Sequence, residues 1–157
     1  MEINTLVKQE LISISDAEMQ KENIIEYLGN ILLENNYIKK EYINDVIERE
    51  KKFPTGIQLK NMGIAIPHAY PVNVLKNGIA VLKLRDKAIF ESMENSDEEV
   101  DVSMIFMLAL KDSDDHIKML QNLFIMFQQE NVMEDLIKAD SVDKIEAIIA
   151  NNLTNVV

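Results

Sequence analysis

Both histidines of this 157-residue chain stand where an apolar run gives way to polar residues. His68 closes the run Gly63-Ile64-Ala65-Ile66-Pro67-His68, and His116 follows the longest apolar stretch, Val102 to Leu110, after a short acidic turn. Such element ends beside a sheet are where binding sites collect. Pro67 holds its own φ near −65° and lacks a backbone donor, so the chain leaves the run in a narrow range of directions. Upstream, Pro54-Thr55-Gly56 offers a hydroxyl and a permissive backbone, a pair able to approach an anion closely. Arg49, one helical turn earlier, carries a guanidinium fork that matches phosphate oxygens. Each residue also has a plain reading: His68 and Thr55 as turn residues, Arg49 as a solvated helix residue paired with Glu48 or another carboxylate. His116 is either a helix-start residue capped by Asp114 or a second imidazole facing His68 across the end of a sheet.

Elimination narrows the chemistry. The chain has no cysteine, which excludes disulfides, thiolate metal sites and thiol nucleophiles. A catalytic metal normally takes three protein ligands. The two histidines lack a carboxylate at ligand spacing, so no metal is expected. No Gly-x-Ser-x-Gly turn is present to carry a serine nucleophile. Phosphorylation of an imidazole fits better: neutral histidine is a nucleophile near pH 7, and phosphoryl transfer asks the protein mainly for positioning and charge stabilisation, with no cofactor. With 27 acidic against 16 basic residues and a net charge of −11, the chain repels nucleic acid and suits a basic protein partner.

These side chains need a scaffold, and a chain of this length buries enough surface for a core of its own. Only 4 glycines and 3 prolines interrupt it, so residues 1–157 are expected to form one domain. Helical spacing of Ile24, Ile25, Leu28, Ile31 and Leu32 predicts a helix from Lys21 to Asn35. Tyr42, Ile43, Val46 and Ile47 predict a second from Lys39 to Lys52, stopping at Phe53 because the residue before Pro54 is pushed out of helical conformation. Leu11 to Ile14, Gly63 to Ile66, Gly78 to Leu84 and Asp101 to Leu110 read as strands. A helix capped by Asp114 or Asp115 runs to Gln129, followed by shorter ones over Val132 to Lys138 and Ser141 to Asn151. The expected class is α/β, a three-layer α/β/α domain with a mixed sheet and the order β-α-α-β-β-β-α-α-α. No leader-like segment is seen and the longest apolar run is far short of the about 20 residues that span a bilayer, so a cytoplasmic protein without membrane insertion is expected.

Three blocks then become specific. Arg49-Glu50, Phe53-Pro54-Thr55-Gly56-Ile57 and Gly63 to His68 resemble, in their order and closely in their spacing, the signature of the enzyme IIA components of the bacterial sugar phosphotransferase system, in the fructose–mannitol–galactitol superfamily. The resemblance extends over Ile79 to Leu84, Val100 to Leu110 and Asp115 to Leu120. It implies that His68 accepts a phosphoryl group on Nε2 from the phosphocarrier HPr, with a backbone contact orienting the other ring nitrogen. The group then passes to a cysteine of enzyme IIB, which serves the membrane enzyme IIC in the uptake and phosphorylation of a sugar. By matching position, Arg49 neutralises phosphoryl oxygens, His116 hydrogen-bonds to the phosphoryl group or to His68, and Thr55, Gly56 and Pro67 shape the pocket. His68 is expected to stand exposed in a shallow apolar depression near Met62, Ile64 or Ile66. The block Phe53 to Ile57 and the pair Gln128-Gln129 look closest to the galactitol type, whereas His116 is the residue of the mannitol and fructose types. Two other roles share the resemblance: a regulatory phospho-switch of the nitrogen-related kind, and a non-catalytic interaction domain.

Overall fold

The computed structural model describes residues 6–153. Apolar residues at three- and four-residue spacing build α1 (Lys21–Glu34) and α2 (Glu41–Lys52), which follow a short strand, β1 (Ile12–Ser15). Strands β2 (Gly56–Gln58), β3 (Gly63–Ala65), β4 (Gly78–Glu91) and β5 (Glu99–Ala109) come next, then helices α3 (Ser113–Phe127), α4 (Glu130–Lys138) and α5 (Val142–Asn152). The strands form one sheet in the order β1-β4-β5-β3-β2. β1 lies parallel to β4 and β3 parallel to β5, while β4–β5 and β2–β3 are antiparallel. No helix among the described residues is long and apolar enough to cross a membrane.

The sheet is covered on both faces, which is why its central strand reads as an unbroken apolar run rather than an alternating one. Met104, Phe106 and Leu108 of β5 pack toward α3, α4 and α5, against Met119, Leu123, Leu136 and Ile145. Their neighbours Ile105, Met107 and Ala109 point the other way, against Ile24, Leu28 and Leu32 of α1 and Tyr42 and Val46 of α2. This is the expected three-layer mixed α/β arrangement.

The element order differs from the expectation in one strand. β2 is only three residues long and exists by pairing with β3, Gly56 to Ala65 through Gln58 to Gly63. The order is thus β-α-α-β-β-β-β-α-α-α. β4 also continues past Leu84 to Glu91, across a register shift between Lys83 and Ala88 that accommodates the polar Arg85-Asp86-Lys87. The cap of α3 is Asp112, whose side chain accepts from the Asp114 N–H at 2.8 Å, and neither Asp114 nor Asp115 fills that place. The one-domain expectation covered residues 1–157, of which 1–5 and 154–157 lie outside the described residues.

The parallel pair β3–β5 positions the site. Both strands end at the same edge of the sheet, and beyond Ala65 the Pro67 carbonyl still accepts from Leu108 N–H at 3.1 Å. At the start of β3, a Cβ added to Gly63 would collide with the Asp101 carbonyl oxygen and meet Val100 Cγ1 at 2.7 Å. The neighbour that would have to yield is backbone. Gly63→Ala is therefore expected to lose about 2 kcal/mol of stability, typical of forced overpacking, with urea unfolding as the measurement and an unchanged midpoint as the contrary result.

Candidate functional site

His68 is half-buried and sits just beyond β3, and the residues on both sides of it are tied down. Pro67 is fastened to β5 as described, and Ala69 N–H donates to the Tyr42 hydroxyl at 3.1 Å. That hydroxyl in turn donates to the Leu108 carbonyl at 2.7 Å. Tyr42, fully buried in α2, thus joins the loop after His68 to the end of β5, and burial pushes its own pKa up to about 12.

The imidazole Nδ1 lies 2.6 Å from the Ile66 carbonyl oxygen. A carbonyl can only accept, so Nδ1 carries the proton, and Nε2 is left with a free lone pair. Burial lowers the His68 pKa from its ordinary 6.5; the bond to Ile66 opposes this shift and the Arg49 charge adds to it. The ring is neutral at pH 7 and presents one nucleophilic nitrogen.

His116, in the first turns of α3, places its ring centroid 4.5 Å from that of His68, with the planes tilted by 58°. Of the two sequence readings, the facing imidazole is the one the structure holds. Its pKa is pushed down to about 4, first by burial, then by His68 and Arg49. Arg49, in the last turn of α2, has its guanidinium carbon 5.0 Å from the Tyr70 ring centroid and 5.2 Å from that of Phe53. The Glu48 partner expected in the plain reading is bound instead to Lys51, at 3.3 Å. Among the described residues no carboxylate lies within ion-pair distance of Arg49. Its charge is left available to an incoming anion, and the aromatic faces hold it without neutralising it.

Two shallow clefts flank His68. One is lined by Arg49, Tyr70, Pro71, Ser113, His116 and Ile117, the other by Arg49, Phe53, Pro54, Thr55, Ser92 and Met93. The ring is therefore accessible without standing fully in the open. Met62, Ile64 and Ile66 do not line the depression: all three are buried in the core, because the alternation of β3 turns Ile64 and Ile66 toward the α3 side. The apolar rim comes from Tyr70, Pro71 and Ile117.

Of the remaining expected residues, Pro67 is buried and acts through its backbone. Gly56 lies against the end of β4, where an added Cβ would meet the Glu91 carbonyl oxygen at 2.6 Å, and it lines neither cleft. Its smallness serves strand packing. Thr55 does line a cleft, but its hydroxyl is committed: it donates to Glu50 Oε1 at 2.7 Å and accepts from Ile66 N–H at 3.3 Å. Glu50 and Tyr42 went unassigned in the sequence. The signal was present, since Tyr42, Val46 and Glu50 recur every four residues and share the buried face of α2. No group of three or more metal-ligating side chains occurs among the described residues.

An uncharged imidazole with one free nitrogen, beside an unpaired guanidinium and a second neutral imidazole, suits a nucleophile for a dianionic group. The fold is that of enzyme IIA-type phosphotransferases. The mannitol enzyme IIA in its complex with phosphorylated enzyme IIB from Escherichia coli superposes with a TM-score of 0.76 at 25% identity, over 90% of this chain and 95% of that one. The model of the family described as phosphoenolpyruvate-dependent sugar phosphotransferase system, EIIA 2, matches residues 5–152, and the chain belongs to that family. Among its relatives, the galactitol-specific EIIA component of Escherichia coli K12 is 29% identical over 119 residues, covering 76% of this chain and 79% of that protein. The fructose-specific EIIA component of Haloferax volcanii is 26% identical, covering 95% of each.

A folded pKa of about 4 for His116 sets a sign for stability. The unfolded chain takes up a proton near pH 6.5 that the folded chain refuses, so this contribution is complete above pH 6.5 and is lost as pH falls toward 4. The difference in unfolding free energy between the wild type and His116→Gln should shrink across that window. A difference that stays constant with pH would contradict the assignment.

Proposed function

We propose that His68 carries a phosphoryl group on Nε2 between two proteins, receiving it from phosphorylated HPr and delivering it to a cysteine of enzyme IIB. The observation that carries the reading is the 2.6 Å bond from Nδ1 to the Ile66 carbonyl, which leaves Nε2 as the free nitrogen of a ring that lines one cleft with Arg49 and His116. In the first step the P–N bond on the donor imidazole breaks as a P–N bond to Nε2 forms, and the donor ring leaves with the electron pair. In the second, the P–N bond at His68 breaks as the enzyme IIB thiolate forms a P–S bond. The Nδ1 proton stays in place throughout.

Each side chain has a part in this transfer. Arg49 offsets the charge spread over the phosphoryl oxygens. His116, neutral at pH 7, donates a ring N–H to an oxygen of the same group, and the start of α3 adds the positive end of a helix dipole. Pro67 aims His68, and Thr55 supports it from behind through Ile66. The net charge of −11 favours encounter with a basic donor. This reaction belongs to the cytoplasmic side of a sugar transporter whose membrane part is enzyme IIC. A galactitol-like sugar alcohol is the cargo favoured by the Phe53 to Ile57 block and Gln128-Gln129, with mannitol and fructose as the alternatives.

Incubation with phosphoenolpyruvate, enzyme I and HPr should give an acid-labile phosphoryl adduct that is absent in His68→Ala. Arg49→Lys should slow acceptance about tenfold, as a point charge replaces a two-pronged contact. His116→Ala should still accept phosphate but pass it on slowly. Onward transfer to galactitol, mannitol or fructose enzyme IIB distinguishes the cargo. An adduct that persists in His68→Ala, or none in the wild type, would overturn the reading.

A further inference from the structure

Glu50 is the one charged residue buried among the described residues, 3% exposed, and the transfer just described gives it no part. Its carboxylate is nonetheless the first member of a chain of hydrogen bonds that ends on the nucleophile. Oε2 accepts from Thr55 N–H and Oε1 from the Thr55 hydroxyl, both at 2.7 Å. The Thr55 oxygen accepts from Ile66 N–H, and the Ile66 carbonyl accepts from His68 Nδ1–H. We infer that Glu50 is a positioning residue for His68: its carboxylate, acting through Thr55 and the backbone of Ile66, holds the Nδ1–H tautomer, and protonation of that carboxylate loosens the hold. The inference rests on the reading of His68 as the phosphoryl carrier.

The two protonation states differ in what they offer Thr55. An ionised carboxylate is acceptor-only, so both oxygens receive Thr55 donors, and a hydroxyl polarised by a carboxylate is itself a better acceptor for Ile66 N–H. A protonated carboxyl must place its own O–H, and the oxygen within reach is Thr55 Oγ1, where it competes with Ile66 N–H. The ionised state is thus the organised one.

The surroundings put this exchange within the working range of pH. Burial pushes the Glu50 pKa up to about 7, against the bonds from Thr55. The charged groups facing it come from two other elements, Lys21 of α1, which favours the charged form, and Glu91 of β4, which opposes it. Those two are bound to each other at 2.8 Å, so neither neutralises Glu50 alone.

The test is the pH dependence of the initial rate at which His68 takes phosphate from phosphorylated HPr, compared among variants so that the donor's own titration cancels. The wild-type rate should rise through an inflexion near pH 7, above the titration of His68 itself. Glu50→Gln should lose that inflexion and run about fivefold slower at high pH, since a charged hydrogen bond becomes a neutral one. Thr55→Val should match it, and Thr55→Ser should restore the wild-type profile. In the wild type alone, the ring-nitrogen NMR shifts of His68 should show a step at the midpoint of the Glu50 carboxyl, a readout that stands even if a variant fails to fold. A wild-type to Glu50→Gln rate ratio that is constant from about pH 6 to about pH 8, or His68 shifts that ignore the Glu50 midpoint, would overturn the inference while leaving His68 as the carrier. Absence of any phosphate on wild-type His68 would instead overturn the reading on which it rests, while the NMR step, by its presence or absence, still decides whether Glu50 governs the His68 ring.

Discussion

The hydrogen bond between His68 Nδ1 and the Ile66 carbonyl decides what the site can be. An imidazole free to choose its tautomer divides its lone pair between two nitrogens and aims neither. Here an oxygen that can only accept removes the choice. The carbonyl is held in turn by its neighbours: Pro67 restricts the turn and is fastened to Leu108, Tyr42 ties Ala69 to the same end of β5, and Thr55 secures the Ile66 amide. Much of the sheet edge can be understood as support for one oxygen atom.

The electrostatics follow from having three nitrogenous groups so close together. Arg49 is permanently charged, and two imidazolium ions beside it would repel both it and each other. Burial settles the matter by keeping both rings neutral, with mutual repulsion reinforcing the effect at His116. The outcome is one permanent cation, one neutral imidazole, and one ring whose lone pair is not taken by a proton. Glu50 shows the opposite use of burial, since desolvation raises a carboxyl that the Thr55 bonds would otherwise keep low.

Much of this was legible in the sequence where a single period dominates. α1 and α2 follow from their spacing, and β5 from an apolar run too short to cross a membrane. β2 was hidden because three residues carry no period of their own and acquire a strand's geometry only from β3. The end of β4 was hidden by Arg85-Asp86-Lys87, a charged run that breaks the apolar pattern after Leu84 and occupies an irregular stretch of the β4–β5 pairing. His68, Arg49 and His116 could be nominated by type and order, whereas the facing of the two rings is a product of tertiary packing. The depression was misjudged for a related reason: strand alternation turns Ile64 and Ile66 inward, and the rim is built from residues of a loop and α3. Glu50 was obscured because a carboxylate on a helix is ordinarily solvated, and only its register with Tyr42 and Val46 hinted otherwise.

The aromatic bracket around Arg49 has one more implication. Phe53 and Tyr70 are 61% and 73% exposed and Arg49 is half-buried, so while the protein is alone the guanidinium between them keeps some contact with water. A visiting surface that lies across both rings expels that water, and the same charge at the same distance then acts through a medium of lower permittivity. On the proposed transfer, the cation would pull hardest on the migrating group at the moment of contact and slacken once the visitor departs, a throttle that requires no moving part.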